Sequence, residues 1–402
     1  MKQLTGTGFV SNIKYAILVC MSLLLFNCVK TTVKENGHPQ KQDQNKGLDG
    51  NPMKMNSAVF YLGTYTTGQS EGIYKYIFHQ DGSFTAHGLV AKTSNPSYIT
   101  HSDDKKYLLA VNEVDSYNGT GSVESFSISD MGLEFLNRRS SGGAHPCFVD
   151  INPAGFVLTA NYSGGNVGLL KLEDEGQLSE LLDVQQHSGS GTSDRQEAPH
   201  AHSSWFAPDG TSVISIDLGT NELWFSKLED SAEKLVQSNP QKLAMEPGAG
   251  PRHLVFHPEG LWLYVLNELN STVTLLHKDA EGAYQAKQSF STLPADYSGD
   301  NTAADIRISS DGKFLYVSNR GHDSIAVFQV NFQEGALKLK GHKSCGGKGP
   351  RNFVFSPDEN YLVIANQYSD NIVSLKRDKK TGMLRYKNQT SAPAPVCIDF
   401  LQ

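Results

Sequence analysis

The chain has 402 residues, 38% hydrophobic and 19% charged, an ordinary globular composition with enough length for a large buried core. Its formal net charge of -7 supplies no basic field to attract a polyanion, which argues against a nucleic-acid partner. No Pro/Ser/Gly-rich linker interrupts the chain after about residue 56, so one large domain is expected over residues 56–402.

At the N-terminus, Lys2 and Lys14 precede an apolar run from Tyr15 to Phe26 that is too short to span a bilayer. A charged segment followed by a short apolar one reads as a signal peptide over residues 1–27. The phrase Leu25-Phe26-Asn27-Cys28 is similar to a bacterial lipobox, with bulkier residues at 26 and 27 than the small ones usual there. It implies lipid attachment at Cys28, a plain secretory signal being the alternative, and leaves residues 28–55 as a polar tether. The expected location is the cell envelope, periplasmic or membrane-anchored, with membrane contact only through the lipid. Disulfides could form there, yet Cys147, Cys345 and Cys397 are odd in number and unrelated in spacing. Neither a disulfide framework nor a metal finger is implied.

A strand-turn-strand phrase then recurs at about fifty-residue spacing. Its copies run from Asn95-Pro96-Ser97 to Asn112-Glu113, from His145-Pro146-Cys147 to Asn161-Tyr162, and from His200-Ala201-His202 to Asp217-Leu218. Three more run from Pro251-Arg252-His253 to Asn267-Glu268, from Ala304-Asp305 to Asn319-Arg320, and from Pro350-Arg351-Asn352 to Asn366-Gln367. Each holds two apolar strands around a turn of the Pro-Asp-Gly kind, a hairpin signature, and is followed by a third alternating strand and a weaker fourth. Four strands per repeat describe a propeller blade. Pro395 to Phe400 supplies a first strand and Val59 to Thr64 a second, so the two ends share a seventh blade. The expected fold is all-β, a seven-bladed β-propeller whose ring is closed by that shared blade.

Comparison of the copies separates fold from chemistry. The column Asn112, Asn161, Asp217, Asn267, Asn319 and Asn366 is expected to satisfy backbone groups, with a calcium-binding ring as the alternative. The residue after it varies: Glu113, Tyr162, Leu218, Glu268, Arg320 and Gln367. So does the column opening the first strand, with Ser97, His202, Arg252, Ala304 and Arg351, and with His145 and His200 just outside it. A hairpin puts both columns at one end of every blade, and the first strand lines the channel, so these side chains are expected at one rim. Three of the nine arginines in the chain fall there. The competing account is that the charges are solvated or paired with one another, Arg252 with Glu268 for example. His145, His253 and His257 are expected to pack or bond locally.

Converging arginines hold carboxylate or phosphate in a planar fork, while a neighbouring Glu or His takes a proton from water. The chain has no His-Glu-x-x-His helix or Cys/His metal spacing, so the site reads as metal-free and cofactor-free acid-base chemistry on a small anionic substrate.

The runs Gly250-Pro251-Arg252-His253, Phe256-His257-Pro258, Asn267-Glu268-Leu269, Ala304-Asp305-Ile306, Asn319-Arg320 and Pro350-Arg351-Asn352-Phe353 resemble the seven-bladed lactonase family. That family includes bacterial 6-phosphogluconolactonases and a fungal carboxymuconate-lactonising enzyme. The resemblance extends from about residue 56 to the end and implies hydrolysis of a sugar lactone. It implies His202, Arg252, Glu268 and Arg320 as catalytic positions, the blade comparison adding Arg351, Glu113 and His200 as substrate-binding candidates. The stretch Ser188–Ala198, containing Arg195, is expected either to overhang the mouth or to be a plain solvent loop. Cycloisomerase or lyase chemistry on an unsaturated dicarboxylate, and a non-catalytic binding propeller, are the alternative functions.

Overall fold

The computed structural model describes residues 57–401; the signal segment 1–27, Cys28 and the tether 28–55 lie outside the described residues. Among the described residues no helix is long and apolar enough to cross a membrane. The described residues form seven four-stranded antiparallel sheets. Blade one joins Pro395–Phe400 to Ser57–Thr64, Gly72–His79 and Phe84–Lys92, with Phe60 opposite Phe400 and Leu62 opposite Ile398. The inner hairpins of blades two to four are Ile99–His101 with Tyr107–Tyr117, Pro146–Ile151 with Phe156–Asn161, and Ala201–Phe206 with Ser212–Asp217. Those of blades five to seven are Pro251–Phe256 with Leu263–Asn267, Thr302–Ile308 with Phe314–Arg320, and Pro350–Phe355 with Tyr361–Asn366.

The core is divided among the gaps between blades. Phe148, Phe156 and Leu158 of blade three pack on Ala201 and Val213 of blade four, and Tyr264 and Leu266 of blade five pack on Leu315 and Val317 of blade six. The gap between blades seven and one is filled in the same way, by Tyr361 and Val363 against Phe60, Phe78 and Phe400. An open array of seven blades would have only six such gaps; a filled seventh closes the ring and removes the free sheet edge. Second strands are covered on both faces, so Phe156–Asn161 and Tyr361–Asn366 are buried throughout and read as continuous apolar runs.

Short turns keep the hairpins in register. At Pro208-Asp209-Gly210, the Asp209 carboxylate accepts the Ser212 N–H at 2.7 Å, and Gly210 takes φ 72°. The Asx column does what its constancy suggested: Asn161 Nδ2 donates to the Ser141 carbonyl and Asn319 Nδ2 to the Thr292 carbonyl, both at 2.9 Å. Asp217 instead accepts the N–H of His200 and of Thr220, each at 2.8 Å. These contacts tie the ends of these three second strands to the connections beside them. Cys147, Cys345 and Cys397 are free thiols, all buried.

Candidate active site

A β-bulge repeated around the ring aims the site. Pro146, Ala201, Pro251 and Pro350 pair with Asn161, Asp217, Asn267 and Asn366, but the next pairs are made by Phe148, Ser203, His253 and Asn352. One residue per blade is thus left out of the ladder: Cys147, His202, Arg252 and Arg351. An extra residue in one strand bends it and re-aims the side chain it carries. Of the residues that follow the Asx positions, Glu268 meets the bulge residues Arg252 and His202, and Glu113 meets the bulge residue Arg351.

Glu268 gathers the site. Its Oε2 accepts Arg252 Nε at 2.8 Å and lies 3.1 Å from Arg320 Nη2 and 3.9 Å from His202 Nε2. Its Oε1 accepts Arg195 Nη1 at 2.7 Å. Arg252 also donates through Nη1 to the Ala304 carbonyl, and its Nη2 has no acceptor among the described residues. Arg320 Nη2 lies 3.3 Å from the Ala303 carbonyl, and its buried Nε has no partner among the described residues. The structure therefore brings together His202, Arg252, Glu268 and Arg320.

Arg351 and Glu113 form a separate pair in the same mouth. Their closest approach is 3.9 Å; Tyr65 donates its hydroxyl to Glu113 at 2.8 Å and turns its ring to Arg351 at 5.1 Å. Arg351 makes no protein hydrogen bond among the described residues, so its fork is open. His200 stands apart from Glu268: its ring stacks on Tyr162 at 4.5 Å, with Nδ1 at the Tyr162 carbonyl and Nε2 3.2 Å from Glu197.

Three contributors escaped the sequence reading as site residues. Tyr65 follows Thr64 where Glu268 follows Asn267, so the varying column has a seventh member that the split blade hid. Arg195 reaches from its connection onto both Glu268 and the Tyr162 hydroxyl, the latter at 3.1 Å. The loop is pinned beneath it by Gln196, fully buried, whose amide donates to the Leu218 carbonyl at 2.8 Å. His253 is the third. Its Nδ1 lies 3.1 Å from Asp305 and its Nε2 3.4 Å from Arg252 Nη1. Because a guanidinium only donates, Nε2 presents its lone pair and Nδ1 carries the proton toward Asp305. His145 and His257 bond and pack locally, His257 against Trp262 at 4.8 Å.

The charges follow from this packing. Burial alone would raise the Glu268 carboxyl, but Arg320, Arg252 and Arg195 outweigh it and pull the group down to about 2. Burial, then Arg252, His253 and Arg351, hold His202 well below its ordinary 6.5. Burial and Arg252 push His253 down to about 4. Both imidazoles are neutral at neutral pH, and Glu268 is a carboxylate. Arg252 is lowered to about 10 by burial and Arg320 and remains a cation. With three guanidiniums on one carboxylate, the cluster keeps a positive excess that suits an anion or a developing oxyanion.

Known proteins carry the same architecture and related sequences. Residues 59–400 match the lactonase family described as a seven-bladed β-propeller. The chain is 38% identical to the 6-phosphogluconolactonase of Bacillus subtilis over 353 residues, 86% of this chain and 99% of that one. Among solved structures, a protein from Bacteroides fragilis described as a putative 6-phosphogluconolactonase superposes with TM-score 0.81 at 33% identity, over 87% of this chain and 99% of that one. The periplasmic gluconolactonase of Pseudomonas aeruginosa does so with TM-score 0.82 at 31% identity, over 86% of this chain and 99% of that one. The protein therefore belongs to the seven-bladed β-propeller lactonase family.

Proposed function

We propose that the protein hydrolyses a sugar lactone, in the manner of a 6-phosphogluconolactonase. The observation that carries this reading is the convergence of Arg252, Arg320, Glu268 and His202 in one channel mouth, with N–H groups of both arginines left over. In this reading the spare donors of Arg252 and Arg320 polarise the lactone carbonyl and receive the negative charge that develops on its oxygen. The open fork of Arg351 takes an anionic substituent.

Of the two candidate bases, Glu268 is committed to three ion pairs, whereas neutral His202 has a nitrogen facing it at 3.9 Å. His202 removes a proton from water as the water oxygen bonds to the carbonyl carbon. The bond from that carbon to the ring oxygen then breaks, and the imidazolium returns its proton to the leaving oxygen. Glu268 steadies the transient imidazolium and fixes the arginines. The products are a carboxylic acid, which releases its proton to solvent, and a free hydroxyl on one open chain.

The same reading places the enzyme in the cell envelope, on the strength of its N-terminal charge and apolar pattern and of a periplasmic relative. Lactone hydrolysis by purified protein, corrected for spontaneous ring opening, tests the activity. No rate above background with phosphorylated or plain sugar lactones would refute it.

A further inference from the structure

Blade four departs from its neighbours where the chain enters it. In three other blades an Asn at the end of the second strand donates to the backbone carbonyl of the residue that opens the incoming connection: Asn161 to Ser141, Asn319 to Thr292 and Asn366 to Cys345. His187 holds the corresponding place before blade four, its N–H on the Gly165 carbonyl at 3.0 Å as the Ser141 N–H is on that of Gly121 at 3.1 Å. Here the direction is reversed. The strand ends in Asp217, whose carboxylate only accepts, and His187 Nδ1 donates to its Oδ2 at 2.7 Å. Both side chains are buried, and the imidazole lies flat on Trp224 with ring centroids 4.1 Å apart.

The reversal coincides with the long connection 188–200, which carries Arg195 to Glu268, whereas the connections 142–145 and 346–349 are short. Asp217 holds the long connection at both ends: Oδ2 takes His187, and Oδ1 takes the backbone N–H of His200 at 2.8 Å. Between these ends Gln196 folds the loop onto the turn that follows Asp217. Its Oε1 accepts the N–H groups of Thr192 and Ser193, each at 3.2 Å, while its amide donates to the Leu218 carbonyl. The Ala198 carbonyl packs so closely on Gly219 that any Cβ there would collide with it. One carboxylate thus fixes both feet of the loop that delivers Arg195.

We infer that Asp217 and His187 are positioning residues for the reaction. They act through Arg195, holding it on Glu268 and on the Tyr162 hydroxyl so that the mouth is formed before substrate arrives. The consequence for turnover rests on the lactonase reading, and a physical measurement on the loop separates the two. Asp217→Asn is the selective disruption. Asparagine, which stands in this column in five other blades, keeps an oxygen for the His200 and Thr220 N–H groups but turns an N–H toward His187. The imidazole then has to carry its proton on Nε2, which is buried without a partner among the described residues.

In Asp217→Asn, hydrogen exchange followed by mass spectrometry rises in peptides spanning residues 188–199 and stays unchanged in the strands of blades four and five. With whichever of 6-phosphogluconolactone and gluconolactone the wild type turns over, KM rises about threefold or more while kcat stays within about twofold. In an Arg195→Ala background the same substitution moves KM by less than about twofold, because the group being positioned is gone. Unchanged loop exchange, exchange that rises throughout the molecule, a loss of kcat in place of the rise in KM, or an equal KM effect with and without Arg195 overturns the assignment. Loosening confined to the loop, in a protein whose wild type turns over neither lactone, refutes the lactonase reading and leaves the clamp standing.

Discussion

With Arg195, Arg252 and Arg320 all within ion-pair distance, Glu268 serves better as their anchor than as a proton acceptor. Glu268→Gln would leave three guanidiniums facing one another around a neutral amide, in a site only 3% exposed. Breaking a buried pair in this way costs about 3–5 kcal/mol, so denaturant unfolding should show a loss of that size together with lost activity. His202→Ala, by contrast, removes the base from a neutral residue; the expected outcome is a kcat lower by about 10²–10⁴ with folding intact. The pH dependence has a definite sign. His202 is depressed below 6.5, so the rate holds at neutral pH and falls on the acid side as the imidazole gains its proton. The same direction applies to stability: His253, lowered to about 4, contributes stability that declines as pH falls from 6.5 through 4, because the unfolded chain binds that proton first. Chemical denaturation at pH 7 and pH 4.5 checks this, with Asp305→Asn expected to alter the difference.

At the scale of single elements, the bulge and the connection before blade four do most to shape the mouth. The two varying columns were legible because a hairpin must bring the start of one strand beside the end of the next. The bulge itself was not: one residue inserted into a period-two pattern looks like an ordinary strand end, and only the pairing of Pro251 with Asn267 followed by His253 with Leu266 exposes it. The role of Arg195 was also hidden, since it depends on a loop conformation set by the buried Gln196 amide. Arg195 has a half-exposed side chain and two partners at the site, so Arg195→Ala should raise KM severalfold while the melting temperature stays within about 2 °C, the shift expected of a surface change. Steady-state kinetics and a thermal melt separate that outcome from a structural role.

For the whole molecule, the count of blades and their closure followed from six intact phrases and two complementary ends. Tyr65 was missed for the same reason that closure was found: blade one is divided between the termini, so its columns do not appear as one phrase. Phe60, fully buried against Tyr76 and Phe400 with ring centroids 5.3 and 5.1 Å away, holds the closing strand. Phe60→Ala should cost about 3–5 kcal/mol by cavity formation, read from denaturant midpoints. Ring closure matters to function because Tyr65 and Glu113, on blades one and two, must face Arg351 on blade seven across the seam. The central claim, that the converged mouth is a lactonase centre, is tested most directly by sugar-lactone hydrolysis with wild type and Arg252→Ala at matched folded concentration. Turnover above the spontaneous rate that falls by about 10²–10³ in the variant is the predicted result; equal rates in the two proteins, or none above background in the wild type, would contradict it.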